Sequence, residues 1–343
     1  MSDFFEVKLI QAEHGDAILV SYGHSPVRHI LVDGGPRQTL PYLLEVLSAA
    51  CVAGSLTLEV IVVTHYDFDH IGGIIALLEE KPDWLKINDI WFNGHKHLLP
   101  RDLLGPRHSD ALAKILVQTH LPWNLAFQEN AVTTHDGRSV DLPGGMSIWI
   151  LSPTEKELSA LAKQWPADTP NNDHSTTRDR LGRHDTWPPS SFFSLVETRS
   201  PPDESASNAA SIALLLKFAR KQVLLSGDAH AEVIYESLAT YWPNQVLKID
   251  LLKVSHHGSQ SNTSVALLNL IECCRFAIST NGKIHAHPDQ AAIARVIGSN
   301  SNAELIFNYE TALTARWQNR PPTWPRYRTS YPCGIGPFVR VTV

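Results

Sequence analysis

Short apolar runs that stop abruptly at polar residues recur along the chain. The clearest covers 58–63, where a largely apolar and β-branched run ends at Thr64-His65. Such a run is typical of a strand that is buried on both faces of a sheet. Runs of this kind predict strands over 4–11, 17–22, 28–33, 58–63, 87–92, 139–142, 146–152, 212–218, 222–225, 246–254, 275–279 and 338–343.

Segments with helical periodicity separate many of these strands. They predict helices over 42–50, 74–80, 110–119, 154–163 and 288–297, and one that begins near His230. Strands that alternate with helices predict an α/β protein built in layers. The stretch 165–207 is polar, rich in proline and without periodicity, which predicts an irregular insertion that forms a lid or is disordered. His174 and His184 lie inside it, where a lone histidine is more often solvated than a ligand.

Histidines and aspartates crowd the end of the strand at 58–63. His65, Asp67, Asp69 and His70 occupy four of six consecutive positions, and Gly72-Gly73 follows. Four such side chains would repel or desolvate one another without a cation among them. The alternative is a polar loop in which Asp69 caps a helix, and it accounts for one of the four residues. The spacing therefore predicts a metal site.

Later strands also end in residues that carry chemistry. Asp228 follows the strand at 222–225, although in isolation an aspartate there also suits a helix N-cap. The adjacent pair His256-His257 follows the strand at 246–254, and His287 follows the strand at 275–279. Functional sites of layered α/β proteins collect at the carboxyl ends of strands, so we expect these residues to join the first motif.

Three stretches resemble the metallo-β-lactamase superfamily of hydrolases. They are the H-x-D-x-D-H spacing before Gly72-Gly73, the string LLKVSHHGS at 251–259, and the opening AEHGDAILV...ILVDGG. Asp67 stands where most of the superfamily has histidine, and this variant is similar to the ComEC/Rec2-like branch. The resemblance covers 5–80 and 208–290. It implies one αββα sandwich domain of four layers over 1–343, with an irregular insertion at about 95–205 and a C-terminal arm from about 315.

The resemblance also implies roles for individual residues. Asp228 matches an aspartate that bridges two ions in two-metal members, and His287 matches a substrate or general-acid residue. Asp69 is expected to act on the attacking water as ligand, orienter or proton acceptor. One residue of the His256-His257 pair is expected to bind metal and the other to contact substrate or a ligand, and the sequence does not choose. The expected metal ligands are His65, Asp67, Asp69, His70, Asp228, His256 and His257.

Three further residues are expected to contact substrate or to support the ligands: Asp33, Asn208 and Lys253. For Asp33, simple turn formation at a strand end is an equal alternative. With Asp67 and Asn208 replacing imidazoles, the first metal position becomes rich in oxygen. Hard oxygen donors favour manganese or magnesium over zinc. We therefore expect one or two divalent ions, Mn²⁺ in preference to Zn²⁺.

The site predicts a metal-dependent hydrolase, foremost a phosphodiesterase or nuclease with a metal-activated water. The alternatives are hydrolysis of a small nucleotide, phosphocholine ester or lactone, and a non-catalytic binding module stabilised by metal. A net charge of −6 gives no global basic surface for nucleic acid. Basic residues occur only in local groups: His95, Lys96, His97, Arg101, Arg107, His108, Arg178, Arg180, Arg183, Arg316 and Arg340.

The partner and compartment follow from the same reading. We expect a nucleic acid or nucleotide substrate, no membrane, and a protein partner from a defence or competence-like system. No apolar run approaches the roughly 18 residues that span a bilayer, and the first residues lack a signal-peptide pattern. The four cysteines have no CxxC spacing. A cytoplasmic protein is the expectation.

Overall fold

The computed structural model describes residues 3–98, 111–134, 139–165, 186–189 and 191–343. Several residues singled out above lie outside these ranges: Arg101, Arg107, His108, His174, Arg178, Arg180, Arg183 and His184. Among the described residues, no helix is both long and apolar enough to cross a membrane.

Most of the strands predicted from the sequence are present in the structure. In chain order they are β1 (Phe4–Ile10), β2 (Ile18–Gly23), β3 (Val27–Val32), β4 (Leu56–Val62), β5 (Leu85–Ile87), β6 (Ile90–Trp91), β7 (Ser139–Leu142), β8 (Met146–Ser152), β9 (Ala213–Phe218), β10 (Lys221–Leu225), β11 (Leu247–Ile249), β12 (Leu251–Lys253), β13 (Ile271–Cys273), β14 (Arg275–Ile278), β15 (Glu304–Phe307), β16 (Arg328–Ser330) and β17 (Phe338–Thr342).

Helices connect them. They are α1 (Leu40–Ala49), α2 (Phe68–Glu79), α3 (Ala111–Thr119), α4 (Glu155–Gln164), α5 (Phe192–Glu197), α6 (Ala206–Ala209), α7 (Ala231–Tyr241), α8 (Val265–Asn269), α9 (Gln290–Ser299) and α10 (Ala312–Ala315).

Two large sheets form the centre of the described structure. The first has the order β17-β1-β2-β3-β4-β5, with β6 also paired to β4. The second has the order β16-β15-β14-β12-β10-β9-β8-β7, and β11 pairs with β13 separately. β3 and β4 are parallel in the first sheet, and β10, β12 and β14 are parallel in the second. The carboxyl ends of these five strands carry the chemical residues.

Three apolar layers show how the sheets and helices stack. Between the sheets, Val20 and Val62 pack with Leu214 and Leu216 of β9. Leu215 points the other way, because successive side chains of a strand face opposite sides, and it packs with residues of α7 and α9. Residues of α1, α2 and α3 cover the outer face of the first sheet. The predicted four-layer αββα sandwich is confirmed.

Helix α2 begins six residues earlier than predicted. It starts at Phe68, with Asp67 at its N-cap, so that Asp69 and His70 lie in its first turn. The sequence places Gly72-Gly73 before the helix because glycine disfavours helix interiors. Close packing outweighs this preference: a Cβ at Gly73 would lie 2.0 Å from the carbonyl oxygen of Gly34.

Two predicted strands are each divided. The strand at 246–254 becomes β11 and β12, separated by Asp250, whose carboxylate accepts hydrogen bonds from Lys221 Nζ and the Gln222 amide. The strand at 87–92 becomes β5 and β6, with Asp89 between them accepting from the amides of Ile90 and Leu125. In both cases a carboxylate binds backbone amides from a neighbouring segment.

The insertion and the C-terminal arm contain more structure than predicted. α5 and α6 lie within 165–207, and Phe192 of α5 is buried against the second sheet's outer core. After residue 315, Trp317 and Trp324 join that same core. β16 then pairs with β15, and β17 pairs with β1 at the edge of the first sheet. The arm therefore contributes an edge strand to each sheet.

Candidate metal centre

Strand ends from both sheets bring the predicted ligands together. His65 follows β4 of the first sheet, whereas Asp228 and the His256-His257 pair follow β10 and β12 of the second. The Ile212 amide donates to the Thr64 carbonyl at 2.9 Å and ties the two sheets beside the site. Residues from three separate segments thereby meet between the sheets.

One oxygen of Asp228 lies at the centre of this group. Asp228 Oδ2 is 3.3 Å from His70 Nε2 and 3.5 Å from His257 Nε2. It is also 3.8 Å from His256 Nε2 and 4.0 Å from His65 Nε2. Four imidazole nitrogens that surround a carboxylate oxygen at these distances leave room for ions bound at about 2.0–2.2 Å.

Buried polar atoms without hydrogen bonds point into the same space. Within the described residues, the Nε2 atoms of His65, His70 and His257 and Oδ1 of Asp228 have no hydrogen-bond partner. A buried polar atom without a partner is costly, so such a group of atoms needs an explanation. Nitrogen and carboxylate donors that converge without partners fit a divalent cation.

The other nitrogen of each of these imidazoles is already engaged. His70 Nδ1 is 2.8 Å from Asp33 Oδ2, and His257 Nδ1 is 2.9 Å from the Ser279 carbonyl oxygen. His65 Nδ1 is 2.9 Å from the Thr64 hydroxyl. An imidazole that donates through Nδ1 directs the lone pair of Nε2 towards a metal. Asp33, at the end of β3, thus supports a ligand rather than only forming a turn.

Among the described residues the candidate ligands form four overlapping groups, and two of these include Asp16, once with Asp33 and His70 and once with Asp228 and His257. Asp69, His70 and His257 form one, with His257 Nε2 at 3.5 Å from Asp69 Oδ2. His65, His70 and Asp228 form another, and Asp67 Oδ2 approaches His65 Nε2 to 3.5 Å. Of the two adjacent histidines, the geometry groups His257 with the other ligand atoms. His256 Nε2 also lies 3.8 Å from Asp228 Oδ2, but His256 belongs to none of these groups.

The cluster carries an excess of negative charge. The cluster contains six carboxylates: Asp16, Asp33, Asp67, Asp69, Asp203 and Asp228. Within the described residues, Lys253 is the one lysine or arginine that pairs with any of them, and it contacts Asp16 and Asp228. Burial alone would lower the pKa of His256, but Asp228 and Asp203 outweigh burial and raise it to about 10. Burial would raise the pKa of Asp228, yet His70 and His257 hold it well below its usual range. A field that retains protons on imidazoles also attracts a divalent cation, which displaces those protons.

Lys253 lies beneath the cluster. Its side chain is 1% exposed, and its ammonium pairs with the carboxylate of Asp16. It also donates to the Gly227 carbonyl oxygen at 3.2 Å and is 3.9 Å from Asp228 Oδ1. Of the two roles predicted for Lys253, this burial suits support of the ligands rather than contact with substrate.

A carboxylate that the sequence analysis missed holds the other side of the site. Asp203 Oδ2 accepts from Asn208 Nδ2 at 2.8 Å and from Asn262 Nδ2 at 2.9 Å. The same oxygen is 3.4 Å from His256 Nδ1. Asn208 keeps its own Oδ1 buried and without a partner. The only available signal was an aspartate five residues before Asn208, in a stretch whose proline-rich composition suggests a loop.

His287 lies next to His256, whereas the basic residues Lys96 and His97 lie against Trp123. The His287 ring is 5.7 Å from the His256 ring, and His287 Nδ1 is 3.4 Å from Asp289 Oδ1. The ammonium of Lys96 lies 3.7 Å from the centre of the Trp123 ring. Burial, with Lys96 nearby, lowers the pKa of His97 to about 3. His97 is therefore neutral and adds no charge to a phosphate-binding surface.

Comparison with known proteins adds a family to this geometry. Residues 13–109 match the model of the Metallo-beta-lactamase superfamily, and this stretch contains the whole H-x-D-x-D-H motif. The match covers less than a third of the chain, and over that stretch the chain resembles this superfamily. Over 134 residues it is 29% identical to ComE operon protein 3 of Bacillus subtilis (strain 168). That match spans 38% of this chain and 17% of the relative's length.

Solved structures resemble the whole chain at low identity. Zn(2+)-bound PqqB from Methylobacterium extorquens has a TM-score of 0.46 at 10% identity, with 98% of this chain and 100% of that chain covered. The metallo-beta-lactamase fold protein YhfI from Bacillus subtilis has a TM-score of 0.44 at 11% identity, with 98% and 99% covered.

Gly15 gives a direct test of how the protein positions Asp69. A Cβ at Gly15 would lie 1.7 Å from the Asp69 carbonyl oxygen. We expect Gly15→Ala to displace the first turn of α2, to lower the free energy of unfolding by about 1–3 kcal/mol and to reduce metal content. Chemical denaturation and metal analysis measure both effects.

Gly298→Ala is the matched control for Gly15→Ala. Its Cβ would meet Phe192 at 3.5 Å, which is ordinary contact, and alanine favours the helix by about 1 kcal/mol. The control should retain metal and stability. Normal metal content in Gly15→Ala would show that the contact between Gly15 and Asp69 does not position the ligands.

Proposed function

We propose that this protein is a metal-dependent phosphodiesterase, with nucleic acid or a nucleotide as its substrate. The observation that carries the proposal is the convergence of four imidazole Nε2 atoms on Asp228 Oδ2, with Asp69 beside them. The carboxylate of Asp228 is central enough to be shared by two ions. His65, Asp67, Asp69, His70, Asp228 and His257 would hold them.

A bound pair of divalent ions supplies an activated water and neutralises charge on a phosphoryl transition state. The protein's own residues provide the rest. The carboxylate of Asp69 lies beside the ligand cluster, and its side chain is 18% exposed to solvent. It can therefore orient a water molecule or accept its proton. The His287 ring lies 5.7 Å from the His256 ring, and from this position it can donate a proton to a leaving oxygen.

Oxygen donors support manganese as the activating ion. Asp67 replaces an imidazole, and its Oδ1 accepts from Ser207 Oγ at 2.7 Å, which fixes the carboxylate. Asn208 Oδ1 is buried and available as a further oxygen donor. Carboxylate and amide oxygens favour Mn²⁺. The three imidazoles are also suitable ligands for Zn²⁺. Mn²⁺ remains the proposal and Zn²⁺ the alternative.

A nuclease is the leading form of this proposal, and hydrolysis of a small phosphodiester is the second. The partial match to ComE operon protein 3 is compatible with a competence-like or defence system in the cytoplasm, with a protein partner. The net charge of −6 favours the small substrate, because a nucleic acid needs positive charge and His97 is neutral.

The test is metal-dependent turnover. Metal-stripped protein receives Mn²⁺ or Zn²⁺ and is assayed on bis-p-nitrophenyl phosphate and on linear single- and double-stranded DNA, beside Asp69→Ala. We expect turnover that is greater with Mn²⁺ and is lost in Asp69→Ala. Asp83→Ala, which removes an exposed aspartate outside the cluster, is the control and should stay active.

The outcomes separate the candidates. Turnover of the small diester without DNA cleavage would favour a small phosphodiester as substrate. If metal-loaded protein, verified by metal analysis, cleaves neither substrate, the phosphodiesterase proposal is wrong and a metal-stabilised binding module is favoured.

A further inference from the structure

Four imidazoles lie next to one another in succession beside the candidate metal centre. Ring centres are 5.7 Å apart from His256 to His287, 5.8 Å from His287 to His285 and 6.2 Å from His285 to His14. We call these four residues the imidazole row. His256 and His287 belong to the site described above, whereas the outer pair, His14 and His285, has no role in it.

The loop that carries His14 is fixed between the metal centre and the loop of His285. The Asp16 amide donates to the Asp69 carbonyl oxygen at 3.3 Å, and Ser279 Oγ donates to the Gly15 carbonyl oxygen at 3.0 Å. The Asn281 amide donates to the Glu13 carbonyl oxygen at 2.8 Å. His14 is therefore positioned by backbone contacts on both sides.

Backbone strain positions the other members of the row. Ala286, between His285 and His287, has a φ of 55°, and the two rings lie nearly parallel, 24° apart. Glu13 before His14 has a φ of 57°, and His256 has a φ of 47°. Left-handed conformations cost non-glycine residues roughly 1 kcal/mol or more and cluster at functional sites. Three such residues belong to the imidazole row or adjoin it, which supports a functional role for the row.

The arrangement of the outer pair suits an anion better than a metal. The His14 and His285 rings are 6.2 Å apart and tilted by 58°, and neither residue belongs to a candidate ligand group among the described residues. Imidazoles offer N–H donors and, when protonated, positive charge. The metal-ligand cluster is rich in carboxylates, whereas the imidazole row offers N–H donors to a substrate anion; the nearby carboxylates of Glu13 and Asp289 contact Asn281 and His287.

We propose that His14 and His285 bind a second phosphate, adjacent to the phosphodiester that is cleaved. This inference rests on the proposed function. It narrows the substrate class to nucleotides with at least two phosphates that are joined through one nucleoside. A linear oligonucleotide and a cyclic dinucleotide share this chemistry. The row then extends from the scissile phosphate, near His256 and His287, to its neighbour, near His285 and His14.

The activity test compares substrates that differ by one phosphate. Thymidylyl-thymidine is assayed with Mn²⁺ against the same dinucleotide bearing a 5′- or a 3′-terminal phosphate, and cyclic dinucleotides are assayed separately. We expect wild-type kcat/KM to be about tenfold higher for one of the phosphorylated forms, because a charge-assisted hydrogen bond contributes about that factor. His14→Ala/His285→Ala should reduce this ratio to about one.

A binding test does not require turnover. Calorimetry on Mn²⁺-loaded protein compares thymidine 3′,5′-bisphosphate with thymidine 5′-monophosphate, and we expect about tenfold tighter binding of the bisphosphate. The double variant should lose this preference, whereas the double variant with glutamine at both positions, which keeps an N–H donor, should retain part of it. His24→Ala, an imidazole on the β2–β3 hairpin that pairs with Asp3, is the control and should keep it.

Each outcome decides one proposal. If wild type cleaves no diester but prefers the bisphosphate through His14 and His285, the proposed function fails and the phosphate site stands. A wild type without preference, or a preference that persists in a folded, metal-loaded double variant, overturns the phosphate site. Preference for cyclic over linear dinucleotides would assign the site to the cyclic source.

Discussion

Asp228→Asn is expected to abolish the binding of at least one ion and to lower diester turnover by roughly 10³-fold. The carboxylate oxygen that four imidazole Nε2 atoms share at 3.3–4.0 Å becomes part of a neutral amide. A metal ion contributes several kcal/mol to a phosphoryl transition state, and each 1.36 kcal/mol is a factor of ten in rate. Metal analysis and turnover of bis-p-nitrophenyl phosphate measure both effects.

Thermal unfolding with and without a chelator provides a readout that does not depend on activity. An ion that binds only the folded protein stabilises it, so chelation should lower the wild-type Tm. Asp228→Asn should show little or no shift on chelation, while Asp83→Asn should behave like wild type. Full metal content in a folded Asp228→Asn protein would contradict a shared carboxylate at the centre of the site.

The sequence predicts the ligand set more reliably than the path of the backbone through it. His65, His70 and Asp228 can be identified because each follows a buried apolar run, and the carboxyl ends of such strands meet. The start of α2 could not be predicted, because propensity disfavours Gly72-Gly73 inside a helix. Only the packing of Gly73 on Gly34, a contact remote in sequence, reverses that preference.

Residues that support the ligands are harder to recognise for the same reason. Asp203 lies in a stretch without apolar periodicity, and its importance comes from contacts with Asn262 and His256, more than fifty residues away. For Asp16 the sequence leaves turn formation and support of the site as equal alternatives, and its pairing with Lys253 is visible only in the structure. Local sequence carries no trace of these pairings, because they depend on which strand ends become neighbours.

Lys253→Met is expected to lower the free energy of unfolding of the metal-free protein by about 3–5 kcal/mol. The substitution leaves the carboxylate of Asp16, which is 1% exposed, without its ammonium partner. Removing one member of a buried pair is costly because the other charge stays buried and uncompensated. Urea denaturation after chelation measures the loss. Lys221→Met breaks a pair in which the lysine is exposed and Asp250 keeps its hydrogen bond from the Gln222 amide, so it should cost about 1 kcal/mol or less.

A double-mutant cycle with Asp16→Asn isolates this pair. We expect the double variant to be more stable than the sum of the single losses by about 1–3 kcal/mol, since neither charge is then left alone. Additive losses would show that the two side chains do not stabilise each other.

The same substitution separates the two roles of Lys253. As a supporting residue, its ammonium lies 3.9 Å from Asp228 Oδ1 and opposes the charge of a bound cation, so Lys253→Met should bind Mn²⁺ more tightly than wild type. Added metal should then restore part of the lost stability. If Lys253 contacted the substrate phosphate instead, Lys253→Met would raise KM and leave the affinity for metal unchanged. Burial beneath Asp228 makes the first result the expected one.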